Sequence, residues 1–142
     1  MKIHLDTTPG YAIHSYEEGK ITIRVPFDRQ PKTPREEAPP AEASRETLTR
    51  SLIVMPDLLI TDWPPGNLGQ LTKDHLEQIA ALEPELVLLG TGRKLCFPKP
   101  ALVAPLLERR IGVEYMDSAA ACRTYNLLAA DERRVAAAIL IA

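Results

Sequence analysis

The chain has 142 residues, 45% of them hydrophobic and 25% charged, which is the composition of an ordinary globular protein, long enough to bury about two-thirds of its unfolded surface. Its net charge of −2 argues against a general nucleic-acid or anionic-membrane binder, and no apolar run approaches the length of a membrane span. The first residues lack the apolar core of a secretory signal and the arginine-rich character of a transit peptide, so a cytoplasmic protein is expected, and the two cysteines, Cys96 and Cys122, read as reduced packing residues.

Residues 11–16 alternate weakly, residues 17–20 have turn chemistry, and Ile21, Ile23 and Val25 then alternate with Thr22 and Arg24. This predicts an N-terminal β-hairpin with Gly19 at its turn. From Pro26 to Thr47 prolines and charges replace any apolar face, which predicts a mobile, Pro-rich insertion at 26–47 inside a single domain spanning 1–142. Residues 51–55 and 58–63 read as strands separated by a Pro56-Asp57 turn. Thr72 has N-cap chemistry, Leu71 and Leu76 fit a hydrophobic staple, and Leu76, Ile79 and Ala80 share one face of a helix that Pro84 stops.

The stretch 85–93 organises the rest. Four consecutive large aliphatics, Leu86, Val87, Leu88 and Leu89, predict a strand buried on both faces, closed abruptly by Gly90, Thr91, Gly92 and Arg93. A helix with Pro105 inside it should follow between Pro100 and Arg110, as a first turn, a kink and then the rest, ended by Gly112; then a strand to Met116, and a helix capped by Asp117 or Ser118. On that helix Ala120, Thr124, Leu127 and Leu128 are expected inward, with Ala119, Arg123 and Asn126 opposite. Residues 135–141 read as a final buried strand. Strand, helix, strand, helix makes a βαβα unit and an α/β fold with parallel strands.

In such a sheet ligands bind off the carboxyl ends of parallel strands. Two ends meet here, the loop Gly90, Thr91, Gly92, Arg93 and the helix start at Asp117 and Ser118. Arg93 and Arg123 could add charge, and Tyr125 and Asn126 lie one to two turns on, so a cleft for a small anion is one expectation. The competing reading gives both glycines to tight turning and close packing, Arg123 to an ion pair with Asp117, Asp131 or Glu114, and Tyr125 and Asn126 to a local hydrogen-bond network. No nucleophile–base pair, dinucleotide motif or metal-ligand spacing stands out, so neither an enzyme nor a cofactor or metal is expected.

The blocks Leu88-Leu89-Gly90-Thr91-Gly92, Gly112-Val113-Glu114-Tyr115-Met116-Asp117-Ser118 and Ala120-Ala121-Cys122-Arg123-Thr124-Tyr125-Asn126-Leu127-Leu128, followed by Arg133-Arg134-Val135, resemble a family of uncharacterised domains. Its members include a mitochondrial assembly factor for complex I (NADH:ubiquinone oxidoreductase) and an adipogenesis-associated protein, and bacteria and archaea carry stand-alone versions. The resemblance implies a three-layer fold whose mixed sheet is mostly parallel with the last strand antiparallel, and no established catalytic activity. It implies an interaction or assembly module with a protein partner, such as a respiratory-complex subunit or assembly factor, cytoplasmic or peripheral at the inner membrane without insertion. The alternative kept beside it is the binding domain for a small anion. Ser118 stands where the family usually has threonine, and the Pro-rich insertion replaces a shorter connection.

Overall fold

The computed structural model describes residues 10–26 and 44–141. A three-stranded antiparallel sheet, β1 (Ala12–Glu17), β2 (Lys20–Arg24) and β3 (Arg45–Leu48), runs in the order β1-β2-β3. A five-stranded mixed sheet contains β4 (Leu52–Met55), β5 (Leu58–Ile60), β6 (Leu86–Gly90), β7 (Gly112–Met116) and β8 (Val135–Ile139), in the order β5-β4-β8-β6-β7. Helices α1 (Lys73–Ala80) and α2 (Ala104–Glu108) cover one face, and α3 (Ser118–Ala130) and the small sheet cover the other.

The period-2 alternation of a strand decides which side chain joins which layer. Ile53, Met55, Val87, Leu89, Ala136 and Ala138 pack with Leu76, Ile79 and Leu106 on the α1–α2 side. Leu52, Val54, Leu88, Ala137 and Ile139 point the other way, to Ala121, Cys122 and Tyr125 of α3 and to Ile13, Ile21 and Ile23 of the small sheet. The four central aliphatics therefore serve both cores, as a strand buried on both faces must. Thr72 caps α1, its hydroxyl accepting from the His75 amide while the His75 ring accepts from the Thr72 amide, and Leu71 and Leu76 are both buried. Trp63 is in the same core, edge-on to His75 with ring centroids 5.9 Å apart.

Several expectations need correction. The last strand is antiparallel to β4 on one side but parallel to β6 on the other, because the α3 crossover returns the chain in the direction of β6 and β7. The element-free stretch ends before Thr47, since Arg45–Leu48 forms the edge strand β3. That strand is mostly exposed, so it carries no apolar alternation to read; it is held by the ladder to β2 and by a 3.1 Å contact between the Thr22 and Thr47 hydroxyls. The core of the expected insertion, residues 27–43, lies outside the described residues. β5 stops at Ile60, and Asp62, at φ 54°, turns the chain so that Trp63 enters the core. The helix around Pro105 does come in two parts, as expected: a 3-10 turn at Pro100–Val103, then α2 with Pro105 in its first turn. Gly112 does not end that helix but opens β7; the reversal is made by Arg110 at φ 59°.

The largest correction concerns α3. Its buried residues are Ser118, Ala121, Cys122, Tyr125 and Ala129, while Leu127 is 73% exposed on the opposite side. The inward stripe is made of small residues, one hydroxyl and one tyrosine, so reading the helix by its leucines chose the wrong face.

Candidate functional site

At the carboxyl end of β6 the chain passes so close to the start of α3 that a Cβ on Gly90 would lie 3.0 Å from the Ser118 Oγ and 3.2 Å from the Ala121 Cβ. Any other residue would require Ser118 and Ala121 to give way by a few tenths of an ångström. Gly92, at φ 101°, then turns the chain away. Gly90 itself does not use a positive φ, so the two glycines of the loop do different work.

The polar groups here bond to one another. The Ser118 hydroxyl, fully buried, donates to the Leu140 carbonyl at 2.7 Å and accepts from the Gly92 amide at 2.9 Å. The Ser118 amide donates to the Gly92 carbonyl at 2.8 Å. Asp117 is the N-cap, its carboxylate accepting from the Ala120 amide at 2.8 Å. Thr91 donates its hydroxyl to the Lys94 carbonyl at 2.6 Å and accepts from the Cys96 amide at 3.0 Å, tying the following loop into a compact turn. Amides and hydroxyls that sequence reasoning offered to an anion are thus largely engaged within the protein.

Tyr125 and Asn126 act about two turns further along. The Tyr125 hydroxyl donates to the Tyr11 carbonyl at 2.7 Å. The Asn126 side chain accepts from the Ile13 amide and donates to the Ile13 carbonyl, both at 2.8 Å, imitating with one side chain the two bonds of a neighbouring strand. The grip falls where the β1–β2 register shifts, between Ile13 and Ser15. Burial raises the ionisation of the Tyr125 phenol well above its ordinary range and pushes the Cys122 thiol up to about 12, with Arg123 opposing the latter shift weakly. Cys122 is therefore inert, while Cys96 is exposed.

Arg93 is exposed and pairs with Glu18 of the hairpin turn. Gly92, Arg93 and Asp117 do share a cleft, of about 180 Å³, completed by Tyr16, Glu18 and Ala119. Burial, aided by Cys122 and Asp117, raises the Tyr16 phenol, and Arg93 pulls it back. Tyr16 and Glu18 were not among the expected site residues; their place follows from the hairpin turn folding over the α3 start, which no local pattern announces. Arg123 lies outside the cleft lining, exposed, with no carboxylate within 4.0 Å among the described residues, so the expected ion pair to Asp117, Asp131 or Glu114 is not formed.

A second polar centre lies at the opposite end of the sheet. Arg134 donates to both Asp57 carboxylate oxygens at 3.1–3.2 Å, to the Leu82 carbonyl at 2.9 Å and to the Glu83 carbonyl at 3.3 Å, holding Glu83 at φ 56°. The Arg134 amide donates to Glu85, whose own amide donates back to the Arg134 carbonyl. Sequence reasoning missed this clamp; the signal was a pair of arginines entering β8 opposite Glu83 and Glu85 entering β6.

Comparison with known proteins places these features in a family context. A 13 kDa major membrane protein of Francisella tularensis is 35% identical over 74 residues, which are 52% of this chain and 60% of that protein. The NADH dehydrogenase (ubiquinone) 1 alpha subcomplex assembly factor 3 of Danio rerio is 32% identical over 83 residues, 57% of this chain and 48% of that protein. The chain thus spans about half to three-fifths of the curated relatives it matches. A crystal structure of a protein from Bordetella parapertussis superposes with a TM-score of 0.73 at 31% identity, covering 94% of this chain and 97% of that one. Over residues 41–140 the sequence matches the family described as "Protein of unknown function (DUF498/DUF598)", and the chain belongs to that family.

Proposed function

We propose that this chain is a non-catalytic interaction module that helps assemble a membrane-bound respiratory complex of the complex I type, working peripherally at the membrane face. Kinship with proteins named as an assembly factor of NADH dehydrogenase and as a major membrane protein supports this reading. The observation that carries it is how the side chains are used. Thr91, Ser118, Tyr125 and Asn126, the groups that could do chemistry, are engaged in internal hydrogen bonds, while large apolar side chains, Leu95, Phe97, Leu107 and Leu127, face outward. Among the described residues no helix is long and apolar enough to cross a membrane, and no group of three or more His, Cys, Asp or Glu could hold a metal ion. The test is deletion of the gene in the native cell, with assembled respiratory complexes resolved on native gels and the tagged protein cross-linked to its neighbours. The reading requires that a complex I-type assembly fall several-fold and that its subunits appear among the cross-linked species. Unchanged assembly would overturn it.

A second reading, a site for a small anion at the same cleft, is favoured by one observation: the concave lining sets Arg93 beside Ala119 in the first turn of α3. Glu18 and Asp117 line it too and weigh against an anion. Thermal melting with and without phosphate and nucleotides tests it. An upward shift that Arg93→Ala abolishes would support a site there, because only a ligand of the native state stabilises it.

A further inference from the structure

The loop 93–99 follows the tied turn at Thr91. Its sequence is Arg93-Lys94-Leu95-Cys96-Phe97-Pro98-Lys99, with three cations and no acid, and no aspartate or glutamate occurs between Glu85 and Glu108. Leu95 is 51% exposed and Phe97 69% exposed, although Phe97 rests edge-on against Tyr115 with ring centroids 5.6 Å apart. Arg93 is engaged by Glu18, but Lys94 and Lys99 make no ion pair among the described residues. Two free lysines therefore bracket an outward leucine and an outward phenylalanine.

We infer that this loop is the protein's contact with an anionic phospholipid surface, with Leu95 and Phe97 entering the headgroup boundary and Lys94 and Lys99 meeting lipid phosphates. The inference deepens the peripheral placement proposed above, and rests on it, by naming the site. Three physical points carry it. Aromatic and aliphatic side chains beside lysines are the combination that binds an interface rather than spanning it. The net charge of −2 does not oppose this, because charges beyond about 10 Å are screened at ordinary ionic strength and the loop itself carries three cations and no acid. The loop is also shaped in advance: Thr91 holds both the Lys94 carbonyl and the Cys96 amide, so little ordering entropy is lost on docking. A protein partner for the same loop would call for acidic complementarity but not for lipid.

The experiment is co-sedimentation of the full chain with vesicles of phosphatidylglycerol and phosphatidylcholine in equal parts, against pure phosphatidylcholine vesicles, at low and physiological salt. An environment-sensitive dye on the exposed Cys96 reports depth, and the buried Cys122 leaves it the reactive thiol. Three variants accompany it: Lys94→Glu with Lys99→Glu, Leu95→Ser with Phe97→Ser, and Leu127→Ser as a control on another face. These positions are exposed, and melting curves confirm that each variant is folded. Binding to the anionic vesicles with a blue-shifted dye is expected, weakened by about tenfold or more in each loop double variant and unchanged in the control. Anionic-vesicle binding that both loop variants retain would overturn the loop assignment while leaving peripheral attachment standing. Equal binding to neutral vesicles would overturn the role of the lysines. Failure to bind either vesicle would overturn both the loop and the membrane placement, and leave the assembly reading to its own genetic test.

Discussion

The two faces of the five-stranded sheet are closed by different means. On one, α1 and α2 are held by aliphatic packing: Leu76, Ile79 and Leu106 meet Ile53, Val87 and Leu89. On the other, the small sheet also packs on apolar residues, but α3 pins its first strand with three side-chain hydrogen bonds, one from Tyr125 to Tyr11 and two between Asn126 and Ile13. The difference has a physical cause. A helix satisfies its own backbone and needs only an apolar stripe, whereas a short sheet is marginal alone and its edge leaves amide and carbonyl groups to be matched. Within the Arg-Thr-Tyr-Asn block, Tyr125 and Asn126 are fixed against backbone, while Arg123 faces outward without an ion pair among the described residues.

Leu88 sits in β6 where both cores meet, so Leu88→Ala should show the largest effect, a loss of about 2–5 kcal/mol. Denaturant midpoints at unchanged slope measure it, and a loss under about 1 kcal/mol would mean that β6 is not central. Asn126→Ala comes next. It leaves the Ile13 amide and carbonyl without their partner and should lower stability by about 1–3 kcal/mol. Tyr125→Phe keeps the ring and deletes one bond, so about 0.5–1.5 kcal/mol is expected from the same unfolding curves.

The α3 face should also respond to alkali, through Cys122. The Cys122 thiol is raised by burial to about 12 in the fold, from 9.0 as its ordinary value. The folded state thus holds the proton more tightly than the unfolded one, so stability is intact below about 9 and falls as pH rises toward about 12. Cys122→Ala should flatten that decline, read as the slope of stability against pH, whatever it does to stability at neutral pH. The smallest effect belongs to Arg123→Ala. The side chain is exposed and without an ion pair among the described residues, so the thermal midpoint should correspond to a change within about 0.5 kcal/mol either way.

Much of this was legible in the residues. The apolar run 86–89 announced a doubly buried strand, Thr72 announced its helix, and alternation at Ile21, Ile23 and Val25 announced the hairpin. Three things were not legible, each for a reason. β3 has no apolar face because it is an exposed edge, so only its partner strand defines it. The inward side of α3 is written in Ser118, Ala121 and Ala129, because close approach to Gly90 demands small residues, and periodicity rewards large ones such as Leu127. The roles of Ser118, Tyr125 and Asn126 depend on partners 22, 114 and 113 residues away, beyond any local pattern. The ends of β6 and β7 do meet the start of α3, as the order of elements implied, but the consumption of the polar groups there could be seen only once those partners were in place.

The central claim, that Asn126 is a pin for the small sheet and not a binding residue, is tested most directly by site-resolved hydrogen exchange on Asn126→Ala. The account predicts that amides of β1 and β2 lose protection first, by about five- to 160-fold for a loss of 1–3 kcal/mol, while α1, β6 and β8 keep theirs in excess of that of β1. Protection in β1 equal to that of the unaltered protein would contradict the claim and free Asn126 for another role.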